Sequence, residues 1–271
     1  MARNTLSALS AFEEKFFGIC EGYRQVEEFI LQSTLSDMIY SRRDSPAFHS
    51  VRAEFGRRVS SFLSVSRLYL NSVPKDAVEI TAGTIATDLV KSVISERYDE
   101  SLSYRVMDAV RNYSQHRALP VTDISVGWRR EDEQDRISYR SQFFLRADKL
   151  DDKFKSSTRR EIEQLGGRVD LKLFLRSYFD DLCSIHERLR KEFQRYKEQS
   201  ETLVCDWQER WDSQFPGLSL SAVAACCFKC GRLDNEARVA YIDPEVDEYR
   251  KWLETSTGHL RGMSNRRVEF D

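Results

Sequence analysis

Arg111, Asn112 and His116 fall within six consecutive positions, and their types suit acid–base work on a charged ester. Histidine exchanges protons near neutral pH, and arginine carries a fixed cation whose planar fork matches phosphate oxygens. Together they could deprotonate a ribose 2′-hydroxyl and stabilise the charge that builds on the attacked phosphorus, with no metal required. Cleavage wants both an acid and a base, however, and this stretch supplies one histidine. A symmetric dimer that juxtaposes two copies would supply both.

A helix must position these groups. Ser101 or Ser103 can cap it, and Leu102, Val106, Ala109, Val110 and Tyr113 form its apolar stripe. Pro120 disfavours helix at Leu119, so the element is expected to end near Ala118. At about 100° per residue, Arg111, Asn112 and Gln115 point away from that stripe, with His116 at its edge. Core packing does not need them, so they are available to solvent, a ligand or a second subunit. The bland alternative is a helix end pinned by a salt bridge to Asp108 or Asp123.

Three amphipathic helices precede this one. Leu9, Phe12, Phe16, Ile19, Tyr23, Val26 and Ile30 recur at steps of three and four, predicting a helix over 7–34. Phe48, Val51, Phe55, Val59, Phe62, Val65 and Tyr69 mark a second, expected to stop before Pro74. A third is expected over 84–98. Short connections between four such helices imply an antiparallel bundle.

The period then changes. Val121, Ile124, Val126 and Trp128, then Ile137, Tyr139, Phe143 and Leu145, predict a β-hairpin around the charged run 129–136. Arg129 and Arg130 there could form a basic flap over a nucleic-acid groove. A solvated strand face is the favoured reading, because acidic residues are interspersed. Residues 149–160 read as a linker or a helix start, and Gly166-Gly167 as a break. Leu171, Leu175, Tyr178, Leu182, Ile185, Leu189, Phe193, Tyr196, Leu203, Trp207 and Trp211 keep nearly heptad spacing, predicting one long helix over about 169–213. Trp207 and Trp211 are expected in the core, and His186 is read as a packed or surface histidine rather than a ligand. Pro216-Gly217 ends the helix, 218–228 is apolar and helix-permissive, and 238–242 reads as a short strand. Asp243-Pro244-Glu245 opens a last helix, and 258–271 is expected to be loosely held. The expected fold is therefore mainly α. It comprises a four-helix bundle over 1–120, a hairpin over 121–150, and a C-terminal helical region with some β over 151–271.

Composition narrows the function classes. With 42 basic and 44 acidic residues, the net charge is −2, which excludes a uniformly cationic nucleic-acid binder but permits a local basic site. No apolar run approaches the roughly 20 residues of a membrane span, and residues 1–10 lack the apolar core of a secretory signal, so the expectation is a cytoplasmic protein with no membrane partner. Six scattered cysteines suggest reduced thiols. Cys227 and Cys230 have C-x-x-C spacing, but no second close pair completes a zinc site, and neither metal nor cofactor is expected.

Arg111-Asn112-x-x-x-His116, on the last helix of an expected four-helix bundle, resembles the R-x4–6-H motif of HEPN ribonucleases, in which a polar residue commonly follows the arginine. The wider run from Tyr104 to Pro120 resembles a form of that motif met in uncharacterised bacterial proteins, and the likeness covers the first 120 to 150 residues. It implies a HEPN-like bundle and a metal-independent endoribonuclease acting as a homodimer. HEPN proteins commonly serve as toxins or anti-phage effectors, so an antitoxin or defence-system partner is implied too. By position, Arg111 and His116 would be catalytic and Asn112 would support them. Gln115, Arg117, Arg129 and Arg130 are candidate RNA contacts. The alternative is a non-catalytic dimeric helical module that binds RNA or protein, with Leu182 and Leu189 of the long helix at its interface.

Overall fold

The computed structural model describes residues 2–40, 44–83, 85–116, 121–131, 136–217, 223–226, 228–229, 232–233, 239–242 and 244–266. The fold is mainly α. Four helices come first: α1 (Ala2–Tyr40), α2 (Ser45–Thr81), α3 (Ile85–Glu100) and α4 (Leu102–His116). Strands β1 (Asp123–Glu131) and β2 (Arg136–Arg146) follow, then α5 (Ser156–Gln164), β3 (Arg168–Asp170) and the long α6 (Leu171–Gln214). Short strands β4 (Val223–Cys226), β5 (Phe228–Lys229), β6 (Arg232–Leu233) and β7 (Val239–Ile242) precede α7 (Pro244–Thr257).

The chain forms two compact units, each built from separated segments. One, here the α4 unit, contains 18–68, 94–185 and 260–271; the other, the α7 unit, contains 1–17, 69–93 and 186–259. Helices α1, α2, α3 and α6 each contribute to both. The changes of pattern near 120 and 150 coincide with changes of secondary structure.

In the α4 unit, α1 and α2 run antiparallel, and α6 completes their core. Tyr23 of α1 stacks on Phe179 of α6 with ring centroids 4.0 Å apart, and Phe62 of α2 meets Tyr178 edge-on at 6.0 Å. Such rings bury large apolar areas, and the edge-on pair has the geometry that ring quadrupoles favour. The sheet closes the unit in the order β1-β2-β3, fully antiparallel, with Ile124 opposite Phe143 and Leu145 opposite Val169. Ser141, Phe143 and Leu145 alternate inward along β2, and Phe143 stacks on Phe55 at 3.8 Å. The expected hairpin is present, but Ile137 at its outer end is exposed. Strand β3 was not foreseen, because three residues carry too little periodicity. It is reached through Gly166 and Gly167, whose φ values of 90° and 73° favour glycine. Their amides close the end of α5 by donating to Glu163 O and Ile162 O.

In the α7 unit, Phe12, Phe16, Tyr69 and Phe193 form the core, and Lys15 pairs with Asp76 at 2.7 Å. Here α2 departs from expectation, since it runs through Pro74 to Thr81. Proline costs a backbone hydrogen bond in mid-helix. The apolar stripe nevertheless continues through Val73, Ala77 and Ile80, all essentially fully buried, and that burial outweighs the loss. The helix-permissive stretch after Pro216 also differs: its described part forms β4 and β5, paired with β7 and β6. Val223, Ala224, Ala225 and Cys226 pair antiparallel with Ile242, Tyr241, Ala240 and Val239 of β7, and that backbone pairing overrides weak local preference.

Two expectations about α6 are also corrected. Leu182 and Leu189 are fully buried within the chain, so they cannot form an interface with a second one. Trp207 is not a core residue: it is 53% exposed, with Leu203 and Phe215 also exposed, and the guanidinium of Arg210 lies 5.0 Å from its ring centre. The heptad pattern simply outlasts the core it serves.

Candidate functional site

The site is built on α4, in the α4 unit. Ser101 caps this helix, its hydroxyl accepting from the amide of Tyr104 at 3.1 Å, which satisfies one of the orphan donors of the first turn. Tyr104, Val106, Met107, Ala109 and Val110 are buried. The helix is held laterally by the Arg105–Glu161 ion pair at 2.8 Å and by Tyr113 against Phe154, ring centroids 5.7 Å apart. What remains on its outer side is the polar group. Asn112, Gln115 and His116 are exposed, and Arg111 is half-buried.

Arg111 and Asn112 are brought together. Arg111 Nη1 donates to Asn112 Oδ1 at 2.7 Å, while Asn112 Nδ2 reaches Asp108 Oδ2 at 3.4 Å. Asp108 Oδ1 in turn faces Arg67 Nη1 of α2 at 3.9 Å, an ion pair too long to be a hydrogen bond. The result is a row with a cation at each end: Arg67, Asp108, Asn112, Arg111. Among the described residues no carboxylate pairs with Arg111. Both Arg67 Nε and Arg111 Nε are buried without a hydrogen-bond partner.

Beneath the row lie Tyr104 and Tyr178, edge to face at 5.1 Å. Burial raises both phenols well above their ordinary range, and the charge of Asp108 adds to the effect, so both stay protonated and neutral. The floor of the site is thus aromatic and uncharged, while its rim carries the charge.

His116 and Gln115 stand apart, with no hydrogen bond to Arg111 or Asn112 among the described residues. Arg111 and His116 are five residues apart, or about 140° around the helix, so one helix cannot aim both at a single atom without help from elsewhere. Arg129 and Arg130 sit on the exposed end of β1, a different element. Arg117 lies outside the described residues, as do Cys227 and Cys230. The expected alternative of a helix end pinned by a salt bridge is not seen among the described residues: Asp108 reaches the Asn112 amide and Arg67 of α2, and Asp123 faces Arg146 at 3.8 Å. Arg67 was missed by sequence reasoning. It lies on the second helix, 44 positions before Arg111, and no local spacing links the two.

Among the described residues no group of three or more His, Cys, Asp and Glu is placed to hold a metal ion, and no helix is long and apolar enough to cross a membrane. No family model, curated protein or solved structure matches the chain.

Proposed function

We propose that this chain is a metal-independent endoribonuclease that acts as a homodimer, with Arg111 and His116 as its catalytic residues and Asn112 as the group that orients Arg111. One observation carries the reading: Arg111 is held by an amide rather than neutralised by a carboxylate. A cation kept in place without a counter-charge is suited to an anionic ligand, and its fork matches phosphate oxygens. The histidine needed for proton transfer is exposed on the same helix. In a symmetric dimer, two α4 helices would supply two histidines, so that one removes the 2′-hydroxyl proton while the other protonates the leaving 5′-oxygen. The products would be a 2′,3′-cyclic phosphate and a 5′-hydroxyl. A toxin or anti-phage effector working with an antitoxin or defence partner in the cytoplasm is the setting that the HEPN resemblance suggests.

Expression of wild type beside Arg111→Ala and His116→Ala, following growth and total RNA, tests this reading. Wild type should degrade RNA, resist chelator and leave cyclic-phosphate ends. Each variant should lose at least about 100-fold in cleavage, in line with the usual worth of acid–base groups. Cleavage that depends on added Mg²⁺, or survives in His116→Ala, would end it.

A second reading has its own support. Leu203 and Trp207 on the last turns of α6, and Phe215 just beyond its end, are exposed, which suits a module that docks a partner without catalysis. His116→Ala would then leave the cellular phenotype intact.

A further inference from the structure

The row Arg67–Asp108–Asn112–Arg111 contains more positive charge than its internal contacts use, and it draws on two helices. We propose that Arg67 of α2 and Arg111 of α4 together form a seat for a phosphate group, with Asp108 holding that seat in reserve until the anion arrives. The proposal deepens the ribonuclease reading and rests on it only for the identity of the ligand as RNA.

Three features support the seat. First, the charge does not cancel: the row holds two guanidinium groups and one carboxylate, and that carboxylate faces Arg67 alone. Second, neither arginine is firmly committed. Arg67 meets Asp108 at 3.9 Å, beyond hydrogen-bond reach, and Arg111 has one hydrogen bond to the side chain of its neighbour. Third, Nε of both residues is buried and donates to nothing among the described residues. A buried donor without an acceptor has given up its water and gained nothing in exchange. An arginine that binds phosphate side-on uses Nε and one terminal nitrogen as parallel donors. Re-aiming either fork at an oxyanion would therefore break no bond at Nε and would relieve a donor that is unsatisfied as it stands. Asp108 supplies the counter-charge in the resting state, and its weak contacts at 3.9 and 3.4 Å are easily exchanged for those of a better acceptor. Asn112 sits between the two cations and keeps Arg111 turned toward the shared row rather than into solvent.

Arg67 touches the ligand in this scheme but moves no proton. Its removal should weaken binding of a scissile or neighbouring phosphate without changing the ends that cleavage leaves.

The test has two arms. In one, a short single-stranded 2′-O-methyl RNA, which cannot be cut through its 2′-oxygens, is titrated against the full chain at several salt concentrations. In the other, inorganic phosphate is titrated while the melting temperature is followed. Arg67→Ala and Arg111→Ala should each weaken RNA binding about 10-fold, and each should lower the salt slope by about 0.7, the value for one lost phosphate contact on a single strand. Arg67→Lys should restore the slope but only part of the affinity, because a point charge replaces a fork. Asp108→Asn should tighten binding several-fold by removing the competing carboxylate, a gain that misfolding could not produce. If RNA is not bound but phosphate stabilises wild type and neither alanine variant, the seat stands and the ribonuclease reading falls. If Arg67→Ala matches wild type in both arms while Arg111→Ala does not, the paired seat is overturned and the ribonuclease reading survives. A wild type that responds to neither RNA nor phosphate overturns both.

Discussion

The α7 unit and the α4 unit each join arginine to a carboxylate, and they do so in opposite ways. In the α7 unit, His186 is buried between Phe12 and Phe16, ring centroids 4.3 and 3.7 Å away. Both ring nitrogens are engaged, Nδ1 with the Tyr69 hydroxyl at 2.9 Å and Nε2 with Glu13 Oε2 at 3.1 Å. Glu13 also accepts from Arg190 Nε at 2.8 Å and from its Nη2, and Nη2 donates to Thr257 as well. Burial pushes His186 down to about 4 against the pull of Glu13. It is therefore neutral, donating from Nε2 to the carboxylate and accepting the Tyr69 proton at Nδ1. Burial also opposes ionisation of Glu13, yet the hydrogen bonds from Arg190 and His186 prevail and hold its carboxyl at about 2. Both nitrogens of His186 and both oxygens of Glu13 are engaged. On α4 the donors outnumber the acceptors and the histidine faces solvent. A polar cluster that is fully satisfied inside a core serves the fold. One that keeps unsatisfied cations at the surface is built for something else.

Substitutions can break that contrast. The largest stability effect should come from Glu13→Ala, which strands Arg190 and His186 in the core. A loss of about 3–5 kcal/mol in denaturant unfolding is expected, as for other broken buried pairs. Arg111→Ala, on the rim of α4, should stay within about 1 kcal/mol of wild type, and equal losses for the two would erase the distinction.

Acid should sharpen the contrast further. His186 has a folded pKa below its ordinary 6.5, so its contribution is present above that value and is lost as pH falls toward about 4. Glu13 follows the same rule lower down, its contribution fading from about 4.5 to about 2. Melting temperature should therefore decline in two overlapping steps on acidification. His186→Gln should flatten the upper step, worth on the order of 3 kcal/mol, and an unchanged profile would place the titration elsewhere. Ser101→Ala should cost at least about 1 kcal/mol, since it removes the cap of α4 and the hydrogen bond donated to Asp181 at 2.5 Å, read as a fall in melting temperature.

Much of this architecture was legible in the sequence. Three- and four-residue steps of aromatic and branched residues located α1, α2, α4 and α6, because one buried face per helix is what the core requires. The angular position of Arg111, Asn112, Gln115 and His116 on α4 was equally readable, since it depends only on helix geometry. Other features, β3 and the first strands after Pro216 among them, were not. Pro74 looked like a stop, and only the buried Val73, Ala77 and Ile80 explain why it is not one. Trp207 looked like core, because heptad spacing cannot reveal where the packing partner ends. Arg67 could not be linked to Arg111, because their approach is a product of helix packing and leaves no trace in spacing.

Pro74 also has a mechanical side. Its missing amide leaves the Leu70 carbonyl without the donor that every neighbouring turn supplies. The ladder of α2 therefore has a missing rung part-way along, held shut by side-chain burial rather than by the backbone. Pulled along its axis, α2 would behave as two springs in series, and the joint between 70 and 74 would be the first to give.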